Sequence, residues 1–170
     1  MKTIMYLAMT LNGKIADGKG SIGFFSDNEW NLFQKEMRKW GNIMMGRRAF
    51  EVSLKAEVFP YHGLNIVMTK EKIKNRWGES VIFFGGSPAE ALRLLDDRGF
   101  EIAYIGGGGM LNYSFLKEGL IDEIMVDVEP TVIGVGVGLL AEEEIRSKLK
   151  LIDVKKISED EVRLRYSVIR

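Results

Sequence analysis

The 170-residue chain has no cysteine and a single histidine, His62. Without thiols there can be no disulfide, no thiolate nucleophile and no cysteine-held zinc or iron–sulfur centre. With one imidazole there is no multi-histidine metal site, and no metal site is expected. Net charge is scarce too: 24 Lys and Arg balance 24 Asp and Glu. No basic surface for nucleic acid or an anionic membrane is expected from that balance. Long hydrophobic runs are also missing. The longest, Val132 to Ala141, has ten residues and three glycines, against about 20 for a membrane span. The segment from Met1 to Leu7 lacks a signal-peptide layout, and a cytoplasmic location is the expectation. An enzyme so poor in reactive side chains would take its reactivity from a cofactor.

Hydrophobic residues make up 46% of the chain, enough for a core at this length. Ile4–Met9 reads as a buried strand, and Thr10–Asn28 as a loop. Ser26, three residues before Glu29, has the spacing of a capping box. Trp30, Phe33, Met37 and Trp40 then recur at helical spacing up to Gly41. Strands follow at Asn42–Met45, Leu64–Thr69 and Val81–Phe84, with a short helical stretch from Gly46 through Phe50. Ser87-Pro88-Ala89-Glu90 opens a helix as a second capping box with proline at its first position. Glu101–Ile105 reads as a strand, Met110–Lys117 as a helix and Glu123–Val128 as a strand. Two tail strands, about Leu149–Ile157 and Val162–Ile169, form a hairpin. Val135–Gly138 reads as a bend or bulge, and Glu142–Glu144 as a solvated helix start. The alternation predicts one α/β domain over 1–170: a mostly parallel mixed sheet, helices on both faces and an antiparallel C-terminal hairpin.

The chief chemical feature is Gly106-Gly107-Gly108-Gly109, between a strand and a helix. Glycines allow close backbone approach, and a helix N-terminus favours an anion, so the spot suits a phosphate or pyrophosphate. The spacing is not the dinucleotide fingerprint, and Gly13–Gly20 lacks the Ser/Thr of a P-loop. Gly46-Arg47-Arg48, again between strand and helix, could grip a phosphate monoester or simply be solvated. Thr69-Lys70 has the same double reading. Asp127, inside an apolar strand, either faces solvent or lines a pocket.

Two segments carry a family resemblance. Met9-Thr10-Leu11-Asn12-Gly13-Lys14-Ile15-Ala16 and the stretch Ile105 to Glu123 resemble the reductase domain of riboflavin biosynthesis, within the dihydrofolate-reductase-like superfamily. Met45-Gly46-Arg47-Arg48-Ala49-Phe50-Glu51 is similar to the phosphate-holding segment of dihydrofolate reductases. The resemblance implies a three-layer dihydrofolate-reductase-like fold and an NADPH-dependent reductase acting on a ribosylamino-pyrimidine or another nitrogen heterocycle. A pterin reductase and a non-catalytic NADP-binding protein are the alternatives, and a homodimer is possible. It further implies cofactor contacts from Ala8, Ile15, Gly46, Arg47, Arg48, Thr69 and Lys70, and from Ile105, Gly106, Gly107, Gly108, Gly109, Met110 and Leu111. Arg47 and Arg48 would select the 2′-phosphate. Asn12, Ser26 and Trp30 are expected at the substrate. Trp30 stands where dihydrofolate reductases carry a helix acid, with Asp27 and Glu29 expected off that face. Asp127 is expected to face the substrate and act as the acid.

Overall fold

The computed structural model describes residues 1–169. Strand β1 (Lys2–Thr10) lies inside an eight-stranded sheet. Moving outward from β1 on one side come β6 (Ile102–Ile105), β3 (Asn42–Gly46), β4 (Leu64–Met68) and β5 (Val81–Phe84), all parallel. On the other side β7 (Glu123–Glu129) is parallel to β1, and β10 (Val162–Ile169) is antiparallel to β7. The edge strand β9 (Lys148–Lys156) completes the tail hairpin with β10.

The period of two along β1 builds two cores. Met5 and Leu7 enter one, with Ile105, Phe115, Leu116 and Val126. Ile4 and Tyr6 enter the other, with Met37, Trp40, Met45, Tyr104 and Met125. Successive strand residues point to opposite faces, so the sheet becomes the middle of three layers. Helices α3 (Pro88–Asp96) and α4 (Gly109–Lys117) supply residues to the first core. Helices α1 (Asp27–Trp40) and α2 (Arg47–Lys55) supply the second. This is the dihydrofolate-reductase-like architecture expected from the sequence.

Three local expectations need correction. Lys14–Asp17, expected in a loop, is strand β2, and it pairs antiparallel with β8 (Gly136–Gly138), expected as a bend. Gly136 is required there, because a Cβ would sit 2.4 Å from the Ala16 carbonyl oxygen. Glu142–Glu144 is not helical. Charge repulsion among three adjacent acids and the absence of an apolar face leave nothing to hold a helix.

Candidate active site

A cleft of about 590 Å³ opens at the C-terminal ends of β1, β3 and β6, where open α/β sheets bind ligands. It has a phosphate-friendly end and an aromatic end.

At the first end, helices α2 and α4 both begin at the cleft. Each has glycine at its N-cap, Gly46 and Gly108, and neither has a capping side chain. In α1 and α3, by contrast, Ser26 and Ser87 accept from backbone amides of the first turn. The uncapped first turns leave amide donors for an anion. The two starts are stitched together, since the Gly46 amide donates to the Gly107 carbonyl at 2.8 Å. The glycines of the run have different reasons to be glycine. A Cβ on Gly106 would strike Ile43, one on Gly107 would strike Leu7 at 2.7 Å, and one on Gly109 would strike the Gly138 carbonyl. Gly108 alone of the four meets nothing within 4 Å and lines the cleft. A Cβ there would fill space open to a ligand.

Arg47 and Arg48 also line this end. Arg47 is held by Glu51 at 2.5 Å and by Glu71 at 3.2 Å. Arg48 makes no ion pair among the described residues. A neighbouring cavity of about 270 Å³ shares Met68, Leu111 and Ser114 with the cleft and is lined by Thr69 and Lys70. Ala8, Ile15, Met110 and Leu111 line the cleft as well. Ile105 and Gly107 do not. They lie beneath its floor, where Ile105 is core and Gly107 packs on Leu7.

The other end is built by α1 and α2. Trp30 stacks on Phe33 with ring centroids 5.4 Å apart, and Tyr61 meets Phe33 edge-on at 5.0 Å. Tyr61 is fixed from below by Ser53, 2.7 Å between their hydroxyls. Phe25, Ile22 and Val52 complete the slot. Among these apolar groups lies one acid, Glu29, which is 2% exposed. Its Oε1 is 3.4 Å from the Tyr6 hydroxyl, and its Oε2 has no hydrogen-bond partner. Burial, and then the negative charge of Asp127, push its pKa up to about 10. At neutral pH it is therefore an uncharged carboxylic acid.

The expectation that Glu29 points off this face is overturned, and the reason is local. Ser-x-x-Glu normally turns the glutamate back onto the N-cap amide. Here the Ser26 amide donates to Glu129 Oε1 at 3.2 Å instead. Ser26 Oγ still accepts from the Glu29 amide and itself donates to Glu161. Ser26 thus caps the first turn while Glu129 and Glu161 take up its amide and hydroxyl, and the Glu29 carboxyl turns instead toward Tyr6 at the wall of the cleft. In α3 the box closes normally, with Ser87 N donating to Glu90 at 2.7 Å.

Asp127, expected to face the substrate, does not line the cleft. It is 1% exposed and clamped by Arg163, Nε to Oδ1 at 2.7 Å and Nη2 to Oδ2 at 2.6 Å. The Tyr6 hydroxyl also donates to it at 2.8 Å. The pairing register sets Arg163 directly opposite Asp127. The remaining guanidinium nitrogen donates to Glu36 at 3.0 Å. Asn12 and Ser26 are likewise absent from the lining. Asn12 holds the turn after β1 through Thr10 and the Ile133 backbone, and Ser26 is the N-cap. Trp30 does line the cleft, as expected of a substrate contact.

The profile of the RibD C-terminal domain matches residues 51–162. The chain belongs to this family. An uncharacterized protein YwjB of Bacillus subtilis is 32% identical over 170 residues, covering 97% of both chains. A putative riboflavin biosynthesis protein from Shewanella superposes with a TM-score of 0.86 at 26% identity, with complete coverage of both chains. A pyrimidine reductase-like protein from Corynebacterium diphtheriae gives 0.79 at 16% identity, covering 99% of this RibD-type chain and 92% of its own. A Thermotoga maritima deaminase/5-amino-6-(5-phosphoribosylamino)uracil reductase gives 0.77 at 16%, with 56% of its length covered.

Proposed function

We propose that this RibD-family domain is an NADPH-dependent reductase that delivers hydride to a C=N-type carbon of a flat nitrogen heterocycle. The observation that carries the reading is the arrangement of one cleft. Two uncapped helix N-termini and a glycine opening occupy one end, and a neutral, buried carboxylic acid with a free oxygen occupies the other.

The residues fit a nicotinamide dinucleotide. The first turns of α2 and α4, with Gly108 between them, would hold the pyrophosphate. Arg48 and Lys70 are the cations best placed for a 2′-phosphate, because Arg47 is already matched by two carboxylates. The bound cofactor would supply the hydride. The chain does the rest. Trp30, Phe33 and Tyr61 form one aromatic wall against which the ring lies and from which water is excluded, which fixes its distance and face. Glu29 donates its proton to the nitrogen of the C=N bond as the carbon accepts hydride. That nitrogen ends as N–H, and Glu29 ends as a carboxylate to be reprotonated. Arg163, Tyr6 and Asp127 act behind it. Burial and the Asp127 carboxyl, which Tyr6 and Arg163 hold in place, keep the acid protonated until the substrate takes its proton.

The exposed row Leu149, Leu151 and Val154 on β9 is the surface we assign to the homodimer expected from the resemblance. Reductase activity is tested by NADPH oxidation with heterocyclic imines, in parallel with direct NADPH binding. Tight binding with no turnover of any heterocycle would instead make this a nucleotide-binding protein.

A further inference from the structure

Two helices begin with the same motif and use it differently. In α3, Ser87-Pro88-Ala89-Glu90 closes its capping box: the Ser87 amide donates to Glu90 Oε2 at 2.7 Å, and the Ser87 hydroxyl donates to it at 2.9 Å. The bond from the Ser87 backbone is the first cause that holds the Glu90 carboxyl below the usual glutamate range. In α1, Ser26-Asp27-Asn28-Glu29 has the same spacing, yet the Ser26 amide donates to Glu129 Oε1 at 3.2 Å. Glu29 is left beside Tyr6 with one buried oxygen unpartnered. A buried polar atom without a partner is costly. The capping box is the local remedy that the sequence of α1 itself offers, so Glu29 is kept from it by groups outside the helix.

The sheet supplies those groups. Asp127 and Glu129 lie two apart on β7 and so share a face. One step beyond the pair Val162 and Val128, the register of β10 brings Glu161 beside Glu129, and each carboxyl acts on the ionisation of the other. Glu129 and Glu161 are both buried. Glu161 accepts from the Ser26 hydroxyl and, at 2.6 Å, from the Asn28 side-chain amide. Its own backbone amide donates to Ser158 Oγ in the hairpin turn at 3.2 Å. A backbone amide has one hydrogen to give. With Glu129 on the Ser26 amide, the box has no place for Glu29, and a further carboxylate there would stand against both Glu129 and Glu161. The ionisable groups around Glu29 where it does sit are Tyr6 from β1, Tyr104 from β6, Asp127 and Glu129 from β7, and Arg163 from β10. Resting on the reading of Glu29 as the proton donor, we infer that Glu129 is a positioning residue: by taking the Ser26 amide it bars Glu29 from the cap and keeps that carboxyl at the wall of the cleft.

The test removes the acceptor from Ser26 and then gives it back. Glu29→Gln is made in three backgrounds, wild type, Glu129→Leu and Glu129→Gln, and melting is followed from pH 4.5, the ordinary glutamate value, up to neutrality. In wild type, removing an acid held protonated raises Tm by an amount that grows with pH. In Glu129→Leu, where Glu29 is free to turn onto the Ser26 amide, that gain should shrink by more than half. In Glu129→Gln, whose side-chain oxygen still accepts from Ser26, the gain should return. Hydride transfer should follow the same order: slower by about tenfold or more in Glu129→Leu, recovered in Glu129→Gln, and little slower again when Glu29→Gln is added to Glu129→Leu. An undiminished gain in the Glu129→Leu background overturns the inference and leaves Glu129 a structural group. The absence of any gain in wild type overturns it too. If Glu129→Leu does not fold, Glu129→Asp, one methylene shorter, replaces it with the same outcomes expected. The melting arm needs no substrate, so its result is independent of the reductase reading, which fails when NADPH is not oxidised with any heterocycle.

Discussion

Glu29→Gln separates the chemistry of the buried acid from its shape, and it has two readouts that can be worked from the structure. Glutamine keeps the volume and a hydrogen-bonding end but has no proton to give. Single-turnover NADPH oxidation should slow by about 10²–10⁴-fold, the usual worth of a positioned acid, while NADPH affinity stays unchanged. The second readout is stability against pH. Glu29 has a pKa near 4.5 when unfolded and about 10 when folded. Below pH 4.5 both states are protonated, and the acid costs nothing. Above it the unfolded chain releases a proton that the folded chain keeps. Stability is therefore lost progressively as pH rises toward the folded value. Each pH unit is worth about 1.4 kcal/mol, so roughly 3 kcal/mol is lost by pH 7. Glutamine has no such loss. Other titrating groups are common to both proteins and largely cancel. The melting temperature of Glu29→Gln should therefore climb relative to wild type between pH 4.5 and 7. For a chain of this size the relative gain is roughly 6–12 °C. Parallel melting curves across that range would refute the claim that Glu29 is held protonated. An unchanged hydride rate would refute its role as the acid.

Asp127→Asn should behave differently: it leaves Arg163 buried without its carboxylate and should lower stability by about 3–5 kcal/mol, seen as a large fall in melting temperature. A variant that lost only hydride transfer would return Asp127 to the catalytic role. Gly108→Val should weaken NADPH binding at least about a hundredfold with only a small fall in melting temperature, because its side chain enters open cleft and valine is merely a poorer N-cap. Gly107→Val, at a φ of +88° and against Leu7, should instead unfold the domain more easily, which thermal denaturation would report. Arg48→Ala should cut NADPH affinity by about tenfold or more and leave NADH affinity unchanged, as measured by calorimetry. Equal losses for both would remove Arg48 from the 2′-phosphate. Leu151→Lys should shift the protein from dimer to monomer in sedimentation.

The layers were legible because their signals are local. Period two in β1, helical spacing from Trp30 to Trp40, and the closed Ser87–Glu90 box each specify an element without help from afar. The glycine run was legible as a strand-to-helix loop for the same reason, and it opens onto the cleft. The acid was not. Ser26 and Glu29 have the spacing of a cap, and only Glu129 and Glu161, more than a hundred residues later, explain why the cap closes without Glu29. Asp127 misled in the opposite sense. An acid in an apolar strand signals a buried charge, but its partner is fixed by the register of β10 on β7, which no spacing within β7 records. Strands β2 and β8 were missed because each is only three or four residues long and glycine-rich or polar, and each exists mainly by pairing with the other.

The tail hairpin has a consequence for how the chain folds. Lys156 pairs with Val162 across six positions, whereas Ile4 pairs with Glu123 across 119. Closing the longer loop costs about 2.6 kcal/mol more in chain entropy. The hairpin can therefore form early, while the seat it needs on β7 waits for the slow, non-local assembly of β1 against β7. During that interval Leu149, Leu151, Ile152 and Val154 stand on a two-stranded ribbon with nothing beneath them. Lys148, Lys150, Lys155 and Lys156 flank them along the same strand, against the single acid Asp153. Four like charges repel a second ribbon at the stage when sticking would be easiest. Neutralising those lysines should leave the native protein intact and make refolding at high concentration end in aggregates.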